Sequence, residues 1–184
     1  MKRSLTMMIG VLVAVGAASL AANADDRRGQ RSFRARLLGV NENPAVSTEA
    51  RGQFYAVVNK EETEITYWLS FSNLTADVSQ AHIHFGQHHV NGGIIVWLCE
   101  AQALAPTDTT PACGGPRTTT TPVMGVLTSA EVIGPAGQGI AANEFAELLA
   151  ALRAGAAYAN VHTVSTTTPP GLQFPGGEIR GQVL

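Results

Sequence analysis

The five histidines of the chain fall in two places: His82, His84, His88 and His89 in one short stretch, and His162 near the C-terminus. In an extended segment His82 and His84, at i and i+2, project to one face while Ala81, Ile83 and Phe85 project to the other. Tyr158, Asn160 and His162 share a face in the same way, opposite Ala157, Ala159 and Val161. If the two segments are neighbours, three imidazoles converge. Imidazole is the commonest metal-binding side chain, and three such ligands with an open position suit copper or zinc. The competing reading is a structural cluster in which each ring bonds a nearby carbonyl or hydroxyl, with Asn160 and Thr163 available as partners. No fourth ligand stands out, which weighs toward the structural cluster. His88 and His89 lie in a Gly/Asn-rich turn and are expected to face solvent.

Other chemistries find less support. There is no Gly-x-Ser-x-Gly elbow, no phosphate-binding glycine loop and no pair of carboxylates at useful spacing on one strand, so a non-catalytic protein is expected. Glu178 and Arg180, again at i and i+2, have a bland reading as an ion pair with each other or with a neighbouring strand. The sharper reading is that one of them, or Asn160, braces a histidine. Cys99 and Cys113 are the two cysteines, and in an exported chain a small even count reads as a disulfide. Closing a loop of that length contributes about 3 kcal/mol on the chain-entropy model.

The elements that must position these residues read as short strands. The clearest is Glu64–Ser72, where Ile65, Tyr67, Leu69 and Phe71 alternate with polar neighbours and Trp68. An exposed Trp68 on that polar face would mark a contact surface. Further strands are expected over Phe33–Gly39, Gly52–Asn59, Gln80–Gly86, Ile94–Leu98, Val123–Leu127, Ala156–His162 and Glu178–Leu184. Residues 73–79 read as a loop, and 106–122 and 165–175 as Thr/Pro-rich loops. A single helix is expected over Asn143–Arg153, capped by Asn143, with Phe145, Leu148, Leu149 and Leu152 at helical spacing. About eight short strands without βαβ alternation predict an all-β fold, an antiparallel sandwich or barrel with one helix inserted at about 143–153.

The N-terminus reads as an export signal over residues 1–24: Lys2 and Arg3, an apolar run from Leu5 to Leu20, then Ala22-Asn23-Ala24. The run is short of a membrane span, and no later segment is long and apolar enough to be one. Residues 25–32 read as a flexible arm and 33–184 as one domain. Loss of Lys2 and Arg3 takes the balance from 12 basic against 14 acidic residues to 10 against 14, a net charge of −4. The run Arg27, Arg28, Arg31, Arg34, Arg36 lacks the broad basic face of a nucleic-acid binder.

With these pieces in place the chain resembles the CHRD (chordin-domain) family over about residues 33–184. The resemblance rests on Phe33-x-Ala35-x-Leu37-x-Gly39-x-Asn41-Glu42-x-Pro44 and Ala81-His82-Ile83-His84-x-Gly86. It continues through Leu98-Cys99 with Cys113, Tyr158-x-Asn160-Val161-His162-Thr163, and Gly177-Glu178-Ile179-Arg180-Gly181-Gln182. It implies an immunoglobulin-like or barrel-like β fold and an extracytoplasmic setting. In animals such domains occur in chordin, a secreted growth-factor-binding protein. Bacterial relatives are usually stand-alone exported proteins, so the animal ligand does not carry over.

Two functions are therefore carried forward for a periplasmic or secreted protein. The first is a non-catalytic binding or structural module of the cell envelope or exterior, whose partner is a protein, a glycan or another envelope ligand. The second is a copper- or zinc-binding protein using His82, His84 and His162. The H-x-H pair with a distant histidine resembles the copper/zinc superoxide dismutases, although the full ligand set of those enzymes does not map here.

Overall fold

The structure, a computed structural model, describes residues 29–101, 106, 109–165 and 171–184. The expected signal, the first part of the expected arm and stretches of both Thr/Pro loops lie outside the described residues. The chain divides into Met1–Gln30 and Arg31–Leu184, and the second unit carries every strand and helix described below.

Eight strands form one sheet: β1 (Ser32–Leu38), β2 (Arg51–Val58), β3 (Ile65–Ser72), β4 (Asp77–Phe85), β5 (Ile94–Glu100), β6 (Val123–Leu127), β7 (Ala157–Val164) and β8 (Ile179–Gln182). Their order is β5-β4-β7-β8-β1-β2-β3-β6, and every pairing is antiparallel. The sheet curls into a nearly closed barrel, so the expected all-β class with one helix is the observed one.

Period-two patterning drives the curl. On β1, β2 and β3 the apolar residues Phe33, Ala35, Leu37, Phe54, Ala56, Val58, Ile65, Tyr67, Leu69 and Phe71 are buried while their neighbours point out. A sheet with one apolar face hides it most completely by closing on itself. Tyr67 crosses the interior to donate its hydroxyl to the Leu98 carbonyl on β5, tying opposite walls together. The open edge of β5 is covered in two places. Ile133 N–H donates to Ile95 O at 2.9 Å, and the 111–113 segment pairs with Glu100. Cys99 and Cys113 pin that second segment as a disulfide, with Cα atoms 4.9 Å apart. Covering an edge removes a template for aggregation.

The helix, α1 (Phe145–Arg153), inserts Phe145, Leu148, Leu149, Ala151 and Leu152 into the same core. It starts two residues later than the expected cap. Asn143 takes a left-handed conformation (φ 69°), and the acidic side chain of Glu144 instead accepts from Ala141 N–H at 2.6 Å. β4 begins at Asp77, within the segment expected as a loop. A register shift between Val78 and Gln80 breaks the alternation that would have announced it.

β7 departs from one-sided burial, being buried on both faces through Thr163, as are β4 over residues 81–84 and β8 over residues 179–181. Its second face lies on the outside of the barrel, under the 39–50, 86–93 and 171–178 loops. Glu178 anchors this cover. It is fully buried and accepts from Thr48 Oγ1 (2.8 Å), Thr75 N–H (2.8 Å) and Oγ1 (2.6 Å), and Thr163 Oγ1 (3.0 Å). Gly177, at φ 125°, lies so close to Asn160 and Glu42 that a Cβ would sit within 2.8 Å of both. Only glycine fits there.

Replacing Tyr67 with Phe removes the one donor that crosses the interior to Leu98. The expected result is an intact barrel destabilised by about 1–3 kcal/mol, measured as a lower midpoint of urea unfolding with an unchanged slope.

Candidate metal centre

The antiparallel register of β4 and β7 sets the site. Gln80 opposes His162, His82 opposes Asn160, and His84 opposes Tyr158. The two histidines of β4 and the one of β7 therefore share the loop-covered outer face, whereas Ala81, Ile83, Ala157, Ala159 and Val161 fill the barrel interior. His82, His84 and His162 are 1%, 9% and 6% exposed. Each offers a ring nitrogen, and the three nitrogens lie within 4.8 Å of one another.

The hydrogen bonds assign the protons. His84 Nδ1 donates to Gly92 O at 3.0 Å, and His162 Nδ1 donates to Pro175 O at 2.9 Å, because a carbonyl can only accept. The Nε2 atoms of both rings then carry lone pairs. His82 Nδ1 stands 3.1 Å from His162 Nε2 and is the donor of that pair. This leaves His82 Nε2 and His84 Nε2 buried with no partner among the described residues. Buried lone pairs without donors are uncommon and cost stability.

All three rings are held neutral. Burial pushes His82 down to about 2, with His162 and His84 adding to the depression. Burial also lowers His84, to about 4, against the opposing effect of the Gly92 carbonyl. His162 is lowered by burial too. Neutral imidazole is the metal-binding form, and an N–H fixed on a backbone carbonyl is the usual support for a ligating histidine. Two ligands of a tetrahedral zinc are roughly 3.3 Å apart, so the His82–His162 spacing fits. At the 4.8 Å limit a ring must close by roughly 1.5 Å.

The surroundings are built in layers. Tyr158 stacks flat on His84 (centroids 4.8 Å apart, planes within 3°), and Arg180 lies over the Tyr158 ring at 3.3 Å. Arg180, 2% exposed, donates to Gln87 O (3.0 Å), Val90 O (2.8 Å) and Asn91 Oδ1 (3.1 Å). It thus holds the turn that carries Gly92, whose carbonyl orients His84. Trp97 on β5 meets the His82 ring edge-on at 4.3 Å.

The other candidate residues sort themselves by this geometry. Glu178 and Arg180 bond neither each other nor a histidine; Arg180 reaches His84 through Tyr158 and the turn. Asn160 donates to Glu42 Oε1 at 2.8 Å rather than to a ring. His88 and His89 are exposed, and the His89 carbonyl accepts from Asn43 Nδ2 at 3.0 Å. Glu42 carries no chemical signal of its own in the sequence; its only sign is its place in the Asn41-Glu42-x-Pro44 segment. The Gly92 and Pro175 carbonyls are backbone groups and carry no signal in residue type.

A family model for the CHRD domain matches residues 33–183. The chain belongs to the CHRD family. No curated protein and no solved structure matches it significantly. Both the H-x-H segment and the C-terminal Gly-Glu-Ile-Arg-Gly-Gln segment of this CHRD domain fall in the covered outer layer. The first supplies the rings, and the second supplies the groups that hold their cover.

Glu42 gives this layer a pH dependence. Burial raises its carboxyl from 4.5 to about 7, against the lowering effects of Arg180 and Asn160. Between these values the unfolded chain is ionised and the folded one keeps its proton. Stability linked to this group is therefore full below 4.5 and is lost as pH rises through about 7. Glu42→Gln keeps an acceptor for Asn160. It is expected to match the wild type near pH 4.5 and to exceed it progressively up to about pH 7, by about 1.4 kcal/mol per pH unit at most, read from unfolding curves at each pH.

Proposed function

We propose that this CHRD domain is an exported, non-catalytic binding module of the cell envelope or exterior whose ligand is a copper or zinc ion held by His82, His84 and His162. The observation that carries the reading is the trio itself: three buried neutral imidazoles with ligand atoms within 4.8 Å. Two are oriented by backbone carbonyls, and two Nε2 lone pairs lack a donor among the described residues. As the trio stands, one proton is shared between His82 and His162. A cation between these two rings would engage the His162 lone pair and the Nδ1 lone pair of His82, whose proton would then sit on its own Nε2, and would give the orphaned His84 Nε2 a partner. The pure hydrogen-bonded knot leaves two lone pairs without a donor, so it accounts for fewer of the atoms.

Binding rather than turnover is supported by the cover over the rings, since a reactant has to reach an open position on the ion. The neighbouring guanidinium of Arg180 opposes added positive charge, and the ring supports offset it by fixing the donors in advance. Export is supported by the pattern of residues 1–24, by the Cys99–Cys113 disulfide and by family membership. Among the described residues no helix is long and apolar enough to cross a membrane.

The test is titration of the chelator-treated mature protein with zinc and with copper, read by calorimetry and elemental analysis. One ion per chain is expected, stabilising the fold by about 2.7 kcal/mol when free ion exceeds Kd a hundredfold. Copper is expected to quench Trp97 emission, given its contact with His82. The His82→Ala, His84→Ala double variant should bind about a hundredfold more weakly or worse. Equal binding by the variant, or none by either protein, returns the trio to a structural role. N-terminal sequencing of the exported protein is expected to begin at Asp25; an intact Met1 would remove the export reading.

A further inference from the structure

The outward face of the other half of the barrel differs from the covered layer in every respect. Across β1, β2, β3 and β6 the register places Arg34, Tyr55, Trp68 and Met124 in one row, with Arg36, Gln53 and Ser70 in the next. Tyr55 and Trp68 stack with centroids 5.6 Å apart and planes at 30°. Tyr55 is 45% exposed and Trp68 half-buried, and Arg34, Arg36, Arg51 and Gln53 are all exposed. A shallow groove of about 670 Å³ runs over Arg34, Arg36, Gln53, Tyr55 and Trp68.

Side-chain charge on these strands is one-sided. The four strands contain three arginines and no Asp or Glu at all, although the chain as a whole is acidic. Arg34 and Arg36 have no ion-pair partner among the described residues. A stacked aromatic pair on open surface is an unusual use of large apolar area in a fold with an ample core. Guanidinium groups beside it present planar forks suited to carboxylates.

We propose that this face binds an acidic polysaccharide, with uronate carboxylates on Arg34 and Arg36 and sugar rings laid on Tyr55 and Trp68. The exposed side of the Tyr55–Trp68 stack accepts the C–H face of a pyranose. Neighbouring strands are about 4.8 Å apart, close to the advance of one pyranose unit. A chain crossing the strands can therefore meet the arginines of β1 with one sugar and the Tyr55–Trp68 stack of β2 and β3 with the next. The proposal does not rest on the metal reading, since the histidines lie on the covered face of β4 and β7.

The test uses the mature protein with alginate oligosaccharides as the probe, poly-glutamate as a polyanion without sugar rings, and dextran as a neutral sugar chain. The expected result is saturable, salt-sensitive binding of alginate accompanied by a change in Trp68 emission. Poly-glutamate and dextran are each expected to bind at least tenfold more weakly. Arg34→Gln with Arg36→Gln, and separately Tyr55→Ala, should each weaken alginate binding at least tenfold while leaving cooperative unfolding and metal titration intact, Tyr55→Ala lowering the unfolding midpoint slightly through loss of its stack on Trp68. Equal binding of alginate and poly-glutamate that survives Tyr55→Ala would reduce the face to simple ion exchange and overturn the proposal. No binding of alginate, dextran binding as tight as alginate, or a dimer that Tyr55→Ala dissociates would also overturn it.

Discussion

Burial of a carboxylate and a guanidinium two residues apart in the chain, without pairing them, is the constraint on which the rest of this structure depends. Glu178 and Arg180 are 0% and 2% exposed. A charge removed from water needs compensation from every direction in which it can be solvated. Each obtains it from neutral groups: hydroxyls and an amide from two loops and β7 for Glu178, carbonyls and an amide side chain of the 86–93 turn for Arg180. The loops between β1 and β2, between β4 and β5 and before β8 are in this way drawn down onto the outer face of the sheet.

The histidines inherit their properties from that cover. On a strand open to solvent, His82, His84 and His162 would titrate near the usual histidine range and bond water. Beneath the loops they are desolvated and held neutral, and backbone carbonyls decide which nitrogen carries the proton. Arg180 contributes twice, through the Tyr158 stack and through the turn that presents Gly92. The outcome is a polar second interior on one side of the barrel wall, separated by a single sheet from the apolar one. The opposite half of the wall carries no such cover among the described residues, and its outward residues keep their aromatic and cationic character at the surface.

Much of this was legible in the residues. Strict alternation gave β2 and β3 to within a residue of their bounds, and turn residues marked most of the connections. The i, i+2 spacing put His82 with His84 and Tyr158 with Asn160 and His162 on common faces, as the register bears out. What was not legible has physical causes. The start of β4 was hidden by a register shift that interrupts the alternation. The helix start was hidden because Asn143, a good cap by type, is in a left-handed turn instead. Gly92 O, Pro175 O and the partners of Glu178 are long-range contacts, many made by backbone, and residue type says nothing about where a loop will lie.

The sequence by itself determined the family, the all-β class and which side chains share a face, because a strand's period of two is a local property and the family motifs are local strings. Only the tertiary structure decided that β4 lies beside β7 and that the histidine face is buried outside the barrel rather than within it. It also decided that Glu178 and Arg180 act on the cover instead of on each other. Those outcomes depend on which loops fold back over which face, and that is governed by hydrogen bonds between residues as far apart as Asn41 and Arg180, 139 positions.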